Sequence, residues 1–254
     1  MNPETGRAAT LVQVLMQRLG PMRRGARVVD LGCGDGGLVA ALVDLGFDAH
    51  GCDLRIRWPD QGAPARAGRL RLIGTDPYRL PHGDASVDVV LSTSVMEHVR
   101  DKPAVFREIH RVLKPGGLSL HLFPSRWYLP VEPHLLVPLA NVFWPRCPRW
   151  WFALWAWLGV RNGFQRGLDW REVVRRNLDY QRDGLSYWSN GRYRRLALDV
   201  FGNHSTPMDI YLTHGYGGVV RLLQRLPGRR WLAPLAGALR IMVIAQRKDP
   251  AGVG

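Results

Sequence analysis

Within residues 27–42 a β-branched pair, Val28 and Val29, runs through Asp30 into four glycines in six positions, Gly32, Gly34, Gly36 and Gly37. Few folds accept that order. The apolar run reads as a buried strand. The glycines read as a turn that needs positive φ or a close backbone approach, and Leu38, Val39, Ala41 and Leu42 begin a helical apolar pattern. Strand, glycine turn and helix make a binding corner of the doubly wound α/β type, with a ligand lying against the main chain. The pattern then repeats. Residues 47–52, 70–73, 86–91 and 118–123 read as further strands, with helices over 38–45 and 103–113. Such alternation implies right-handed crossovers and a mainly parallel sheet.

Asp30 stands two positions before the first glycine. A dinucleotide pyrophosphate on the helix N-terminus would gain nothing from a carboxylate there. S-adenosylmethionine would, since it offers an ammonium and a sulfonium and no phosphate. Asp53 ends the second strand, 23 residues after Asp30. Open α/β nucleotide sites place an acid near that spacing on the ribose hydroxyls, two hydroxyls on one carboxylate giving a charge-assisted pair. An ordinary dinucleotide turn, and a solvated loop acid at Asp53, are the plain alternatives.

The order Asp30-x-Gly32-x-Gly34-x-Gly36 resembles the first motif of the class I S-adenosylmethionine-dependent methyltransferases. Further segments fall in that family's order across residues 28–123: Asp53, Asp76 four residues before Leu80-Pro81, Ser92–Val99 after the fourth strand, and Lys114-Pro115-Gly116-Gly117 before the fifth. The resemblance implies an α/β fold with a doubly wound, seven-stranded, mainly parallel Rossmann-like sheet and a helical Trp/Arg-rich insertion after the fifth strand. It implies a sixth strand ending at 199–201 and 208–212, and a terminal strand, 241–245, antiparallel beside it. It also implies cofactor contacts from Asp30, Gly32, Cys33, Gly34, Gly36, Asp53, Leu54, Thr75, Asp76, Pro77 and Ser92. Asp76 would meet the adenine amino group, although it could equally cap the following turn. A leading helix over 8–19, stopped by Gly20-Pro21, would pack on the core or help cover the cofactor.

One domain over 1–254 is expected, with a cofactor-binding half (1–123), an insert or lid on the acceptor side (124–195) and a closing segment (196–254). Residues 58–64 read as a loop, 169–183 as a polar helix, and 217–226 and 231–239 as short helices. Charge divides unevenly. Residues 1–123 carry 16 basic and 13 acidic side chains, whereas 124–254 carry 19 and 8. An Arg-rich coding bias explains the excess of +14 but not its asymmetry, which favours an anionic partner such as a phosphorylated substrate, a membrane surface or RNA. Nine of the ten tryptophans also follow residue 123. Trp150, Trp151 and Trp155 among arginines suit a lid over an apolar acceptor, an interfacial patch or a packed helical insert.

Residues 124–134 resemble a segment of bacterial methyltransferases of glycan and lipid biosynthesis and place Trp127, Tyr128 and Glu132 on the acceptor side. Methyl transfer from a sulfonium is an in-line displacement that rests on alignment. A base is needed only when a hydroxyl must lose its proton, and His98 and His134 are the candidates. His98 also fits a structural bond to a loop carbonyl. Cys33, Cys52 and Cys147 lack CxxC or His spacing, so neither a disulfide framework nor a metal site is expected, and a reducing cytoplasm fits. The N-terminus lacks a signal-peptide layout, and no run reaches the roughly 18 apolar residues of a membrane span.

The expected activity is therefore O-methylation of a glycan, lipid-linked or other amphipathic intermediate, in the cytoplasm or at the inner face of a membrane. A soluble aromatic or polyketide-like acceptor is the alternative. RNA methylation is disfavoured because Ser92-Thr93-Ser94-Val95 stands where base-amine enzymes carry Asn/Asp-Pro-Pro-Tyr/Phe. A non-catalytic cofactor binder would leave the intact acids and glycines without purpose.

Overall fold

Val28, Val29 and Leu31 are buried because β1 (Arg27–Leu31) lies mid-sheet, where both faces of a parallel strand are covered. The structure, a computed structural model, describes residues 3–20, 22–55 and 68–250; the loop expected at 58–64 lies outside them. Its strands are β1, β2 (Asp48–Asp53), β3 (Leu70–Leu72), β4 (Val87–Thr93), β5 (Leu113–Pro124) and β6 (Ile241–Arg247). They run in the order β3-β2-β1-β4-β5-β6, parallel except for β6, which pairs antiparallel with β5. The order reverses between β1 and β4, and a ligand crevice opens at the carboxyl ends of such strands.

Side-chain alternation sorts the core onto two faces. Val28, Val89, Leu91, Leu120 and Val243 meet α1 (Pro3–Leu19), α2 (Gly37–Asp44), α7 (Met208–His214), α8 (Gly218–Gln224) and α9 (Ala233–Leu239). Val29, Leu31, Val90 and Ile244 meet α3 (Lys102–Val112) and α6 (Asn190–Phe201). In α3, Val105, Phe106, Ile109 and Val112 form the buried stripe, and the Asp101 carboxylate caps the helix by accepting from the Ala104 N–H at 2.9 Å.

Six strands are found among the described residues, not seven. Residues 199–201 are the last turn of α6, and 208–212 lie in α7. The pattern Tyr193, Leu196, Ala197, Phe201 keeps a helical period, and Gly202, at φ 70°, ends the helix. A fragment of the missing strand survives. The Ser205 and Ala245 main chains exchange two hydrogen bonds of 2.8 and 2.9 Å, and the Asn203 amide pairs with both backbone groups of Arg247. The outer edge of β6 is thereby closed without a full strand.

The insertion after β5 has its own small core. Helix α4 (Arg149–Trp157) packs on α5 (Trp170–Asp179) around Phe152, Ala156, Val173 and Val174, with Leu135, Val137 and Ala140 from the preceding turns. Within the polar helix expected at 169–183, Asp169 caps α5 and a π-helical turn (Tyr180–Gly184) follows it.

Candidate active site

The glycine turn is pinned to β2, since the Gly32 and Cys33 N–H groups both donate to the Cys52 carbonyl, at 2.7 and 3.1 Å. Gly32 has φ 76°, and a Cβ there would come within 2.3 Å of Val95, so the position accepts no side chain. Gly36 precedes α2 with φ 76°. The Gly34 N–H donates to Asp53 Oδ2 at 2.9 Å, and the Arg55 N–H to Asp53 Oδ1 at 3.1 Å. The sequence-predicted corner residues Asp30, Gly32, Cys33, Gly34, Gly36 and Asp53 therefore come together, with Leu54 exposed beside them.

Asp30 gives this corner its electrostatic character. It is 2% exposed, and its Oδ1 has no hydrogen-bond partner among the described residues. Burial first, then the charges of Asp53 and Asp35, push its carboxyl up to about 8. Burial, then the charges of Asp30 and Asp53, push the Cys33 thiol up to about 12, so it sits there as an inert apolar group. An unsatisfied buried acid among acids suits a ligand that brings a positive charge, as the ammonium and sulfonium of S-adenosylmethionine do.

Other predicted cofactor residues stand differently. The Ser92 side chain is fully buried and its Oγ lies 2.8 Å from His121 Nδ1, so that hydroxyl is spent inside the sheet rather than on a cofactor. Thr75, Asp76 and Pro77 line a separate groove with Asp101, Arg107 and Glu108, and no glycine-corner residue lines it.

Beyond β4 and β5 a second constellation forms. Glu97 and His98 lie on the loop after β4. Two contacts from the end of the insertion hold that loop, Ser186 N–H to the Glu97 carbonyl (2.6 Å) and Tyr193 hydroxyl to the Met96 carbonyl (3.0 Å), and Lys102 Nζ of α3 bridges the Val99 and Ser186 carbonyls (2.5 and 2.6 Å). His134 comes from the loop after β5, its ring centroid 4.8 Å from that of His98. His98 Nδ1 lies 2.6 Å from the Gly184 carbonyl, which is the structural bond foreseen as its alternative role. His134 Nδ1 lies 2.9 Å from Glu132 Oε1, which also accepts from the Tyr187 hydroxyl at 2.9 Å. Nε2 of each ring faces Glu97 Oε1, at 3.6 Å from His134 and 3.9 Å from His98. Burial alone would lower the His134 imidazolium, but Glu132 and Glu97 more than offset it and raise it to about 9.

Of the acceptor-side candidates, Glu132 is corrected. It is 1% exposed and accepts from the His134 and Leu135 N–H groups as well as from His134 Nδ1 and Tyr187, so it positions His134 instead of facing an acceptor. Tyr128 stacks under Arg240 at 4.1 Å, against the C-terminal segment, and Trp127 is exposed under Arg126. The residue that sequence reasoning passed over is Glu97. Its signal was an acid–histidine pair set among Val95, Met96 and Val99, an unusual place for a solvated charge.

The His134 end of the cluster borders a cleft of about 490 Å³, lined by Leu135, Leu136, Phe164, Gln165, Arg176 and Tyr180 among others. The insertion builds most of this wall, and Asn162 ties it to the site by donating to the His134 carbonyl at 3.1 Å.

A family described as a methyltransferase domain matches residues 29–120. A probable S-adenosylmethionine-dependent methyltransferase of Mycolicibacterium smegmatis (strain ATCC 700084 / mc(2)155) is 34% identical over 122 residues, 45% of this chain and 44% of that protein. The chain thus spans less than half the length of that curated relative. Among solved structures, Haemonchus contortus phosphoethanolamine N-methyltransferase 2 in complex with S-adenosyl-L-methionine aligns with TM-score 0.52 and 15% identity, over 95% of this chain and 52% of that one. A putative sarcosine dimethylglycine methyltransferase from Galdieria sulphuraria aligns with TM-score 0.53 and 20% identity, over 96% and 86%. At these identities the structural likeness is one of fold.

Proposed function

We propose that this chain, which belongs to the class I S-adenosylmethionine-dependent methyltransferases, moves the sulfonium methyl onto a hydroxyl of an amphipathic acceptor, a glycan- or lipid-linked intermediate. The observation that carries this reading is the placement of Glu97, His98 and His134 beside an apolar cleft built by the insertion. Leu135, Leu136, Phe164 and Tyr180 offer a hydrocarbon or ring-stacking wall, and the polar cluster at its end suits the reacting hydroxyl.

The chain's own residues divide the work. Asp30 and Asp53 hold the cofactor by its cationic end and its ribose, and the glycines let it lie against the main chain. The insertion wall orients the acceptor, and alignment of oxygen, methyl and sulfur supplies most of the rate. With its pKa near 9, His134 is cationic at neutral pH and is no base there; Glu97 and His98 are the groups placed to take the hydroxyl proton.

The outer face of the insertion supports a membrane-borne acceptor. Trp150, Leu154 and Trp157 lie on one side of α4 and are exposed, Trp157 to 71%, as are Leu158 at its end and Phe164 farther along the insertion, the latter to 92%. Arg146, Arg149 and Arg166 are exposed in the same stretch of sequence. Aromatic and aliphatic bodies among arginines suit the headgroup region of an anionic bilayer. Trp151 and Trp155 turn inward instead, Trp151 Nε1 donating to the Pro138 carbonyl at 2.7 Å. Among the described residues no helix is long and apolar enough to cross a membrane.

The test is transfer of radiolabelled methyl from S-adenosylmethionine into a polar-lipid and glycolipid extract and, separately, an aqueous metabolite extract. Label in the lipid fraction as an alkali-stable methyl ether is the expected result. Label confined to aqueous aromatic metabolites would replace the proposed substrate with the soluble alternative.

A further inference from the structure

We propose that Glu97, His98 and His134 form a binding site for one first-row divalent metal ion, replacing the metal-free reading of the sequence. One ligand atom from each residue lies within 4.8 Å of the others. Three observations point to a cation at their centre.

The first is Glu97 itself. Its side chain is fully buried, and among the described residues no donor lies within hydrogen-bonding distance of either carboxylate oxygen. A buried carboxylate faced by two ring nitrogens beyond hydrogen-bonding distance is poorly compensated, and a coordinated one is not. The second is the spacing. Glu97 Oε1 lies 3.6 and 3.9 Å from the two Nε2 atoms. These gaps are too long for hydrogen bonds but close to the edges of a coordination polyhedron, since ligands about 2.0–2.1 Å from a metal stand roughly 3–3.5 Å apart.

The third is the orientation of the rings. His98 Nδ1 faces the Gly184 carbonyl and His134 Nδ1 faces the Glu132 carboxylate, both acceptors, so each ring carries a proton on Nδ1. A bound cation displaces the Nε2 proton of the cationic His134 to solvent, and both Nε2 lone pairs then face the centre. Carbonyl and carboxylate partners behind ligating imidazoles are the supporting layer that metal sites use, and the Tyr187 hydroxyl fixes Glu132 in turn. Two imidazoles and one carboxylate select a borderline ion such as zinc, iron(II), cobalt(II) or manganese(II) over calcium or magnesium.

Three protein ligands leave coordination positions for an exogenous oxygen. The role assigned to that oxygen rests on the methyltransferase reading; metal binding itself does not. A coordinated acceptor hydroxyl would have a lowered pKa and release its proton to water, which takes over the role that Glu97 and His98 hold in the metal-free site. Its oxygen lone pair would form the bond to the methyl carbon while the carbon–sulfur bond breaks, its electron pair staying on sulfur as the neutral thioether of S-adenosylhomocysteine.

The experiment is a titration of the tag-free, chelator-stripped chain with cobalt(II), followed by its visible d–d absorption, with zinc(II) calorimetry for stoichiometry. One ion per chain is expected, and Glu97→Gln, His98→Gln and His134→Gln should each weaken it tenfold or more. S-adenosylhomocysteine binding and thermal melting of each variant report whether the fold is intact. His98 is only partly buried, so its variant is the least disruptive and decides the matter if the others fail to fold. A parent that shows no saturable cobalt binding below millimolar, or a folded His98→Gln that binds cobalt as the parent does, would overturn the site. A parent that binds cobalt but not S-adenosylhomocysteine would instead overturn the methyltransferase reading and leave the metal site standing.

Discussion

Asp30 shows how a buried acid proposed to bind a ligand can work against the fold that carries it. In the ligand-free protein its carboxyl holds a proton up to about pH 8, whereas in an unfolded chain it would release it near 3.8. The folded state therefore binds that proton more tightly, and stability from this group falls as pH rises from about 4 to 8. Asp30→Asn should accordingly raise the melting temperature at pH 7.5, by about 2–4 °C for each kcal/mol recovered, while weakening S-adenosylmethionine binding. A lower melting temperature in the variant would contradict the burial argument. Because the ligand's ammonium group needs the ionised acid, affinity for S-adenosylhomocysteine should increase between pH 6 and 8.5, with proton release on binding; a flat profile would separate Asp30 from the ligand. Asp53 has a different role, since it also anchors the Gly34 and Arg55 N–H groups. Asp53→Ala should cost roughly 1–3 kcal/mol of cofactor affinity, the range for truncating a charged hydrogen-bond partner, and unchanged affinity in calorimetry would remove it from the site. Residues whose meaning is local, such as Asp30 and the glycines, are legible in the sequence. Glu97, Glu132 and Ser92 are not, because the groups they meet, His134, Tyr187 and His121, stand far along the chain and only the fold brings them near.

Helix α4 carries the same lesson one level up. Its tryptophans read as a single aromatic cluster in the sequence, but helical geometry divides them: Trp151 and Trp155 pack with Phe152 in the insert, while Trp150 and Trp157 face outward. Replacing Trp150, Trp157 and Phe164 with Ser should reduce partition onto anionic vesicles on the order of tenfold and leave the melting temperature nearly unchanged. Trp151→Ser, which loses the bond to the Pro138 carbonyl, should destabilise the chain instead. Equal co-sedimentation of the triple variant and the parent would contradict the interfacial reading. The strand expected at 199–212 failed because two short apolar runs were read without their helical neighbours. Tyr193, Leu196 and Ala197 extend the first run into a buried helical stripe, and the Asn203 amide closes the sheet edge that a strand would have covered.

For the molecule as a whole, the sheet does the positioning. The order reversal between β1 and β4 sets the glycine corner and the post-β4 loop at neighbouring strand ends, and β5 delivers His134 to the same rim. The five parallel strands were legible because buried β-branched runs and glycine turns are properties of contiguous sequence. The wall of the cleft beside His134 was not, since it arises where an insertion with its own core folds back on two loops. The excess positive charge after residue 123 belongs to that same half, so the half with the glycine corner stands near charge balance and the half with the insertion is basic. The central claim, that the corner of Asp30, the glycines and Asp53 holds S-adenosylmethionine, is tested most directly by calorimetric titration with S-adenosylhomocysteine. One site per chain of micromolar affinity, weakened about 5- to 150-fold by Asp53→Ala, is the predicted result. No binding by the folded parent would contradict it.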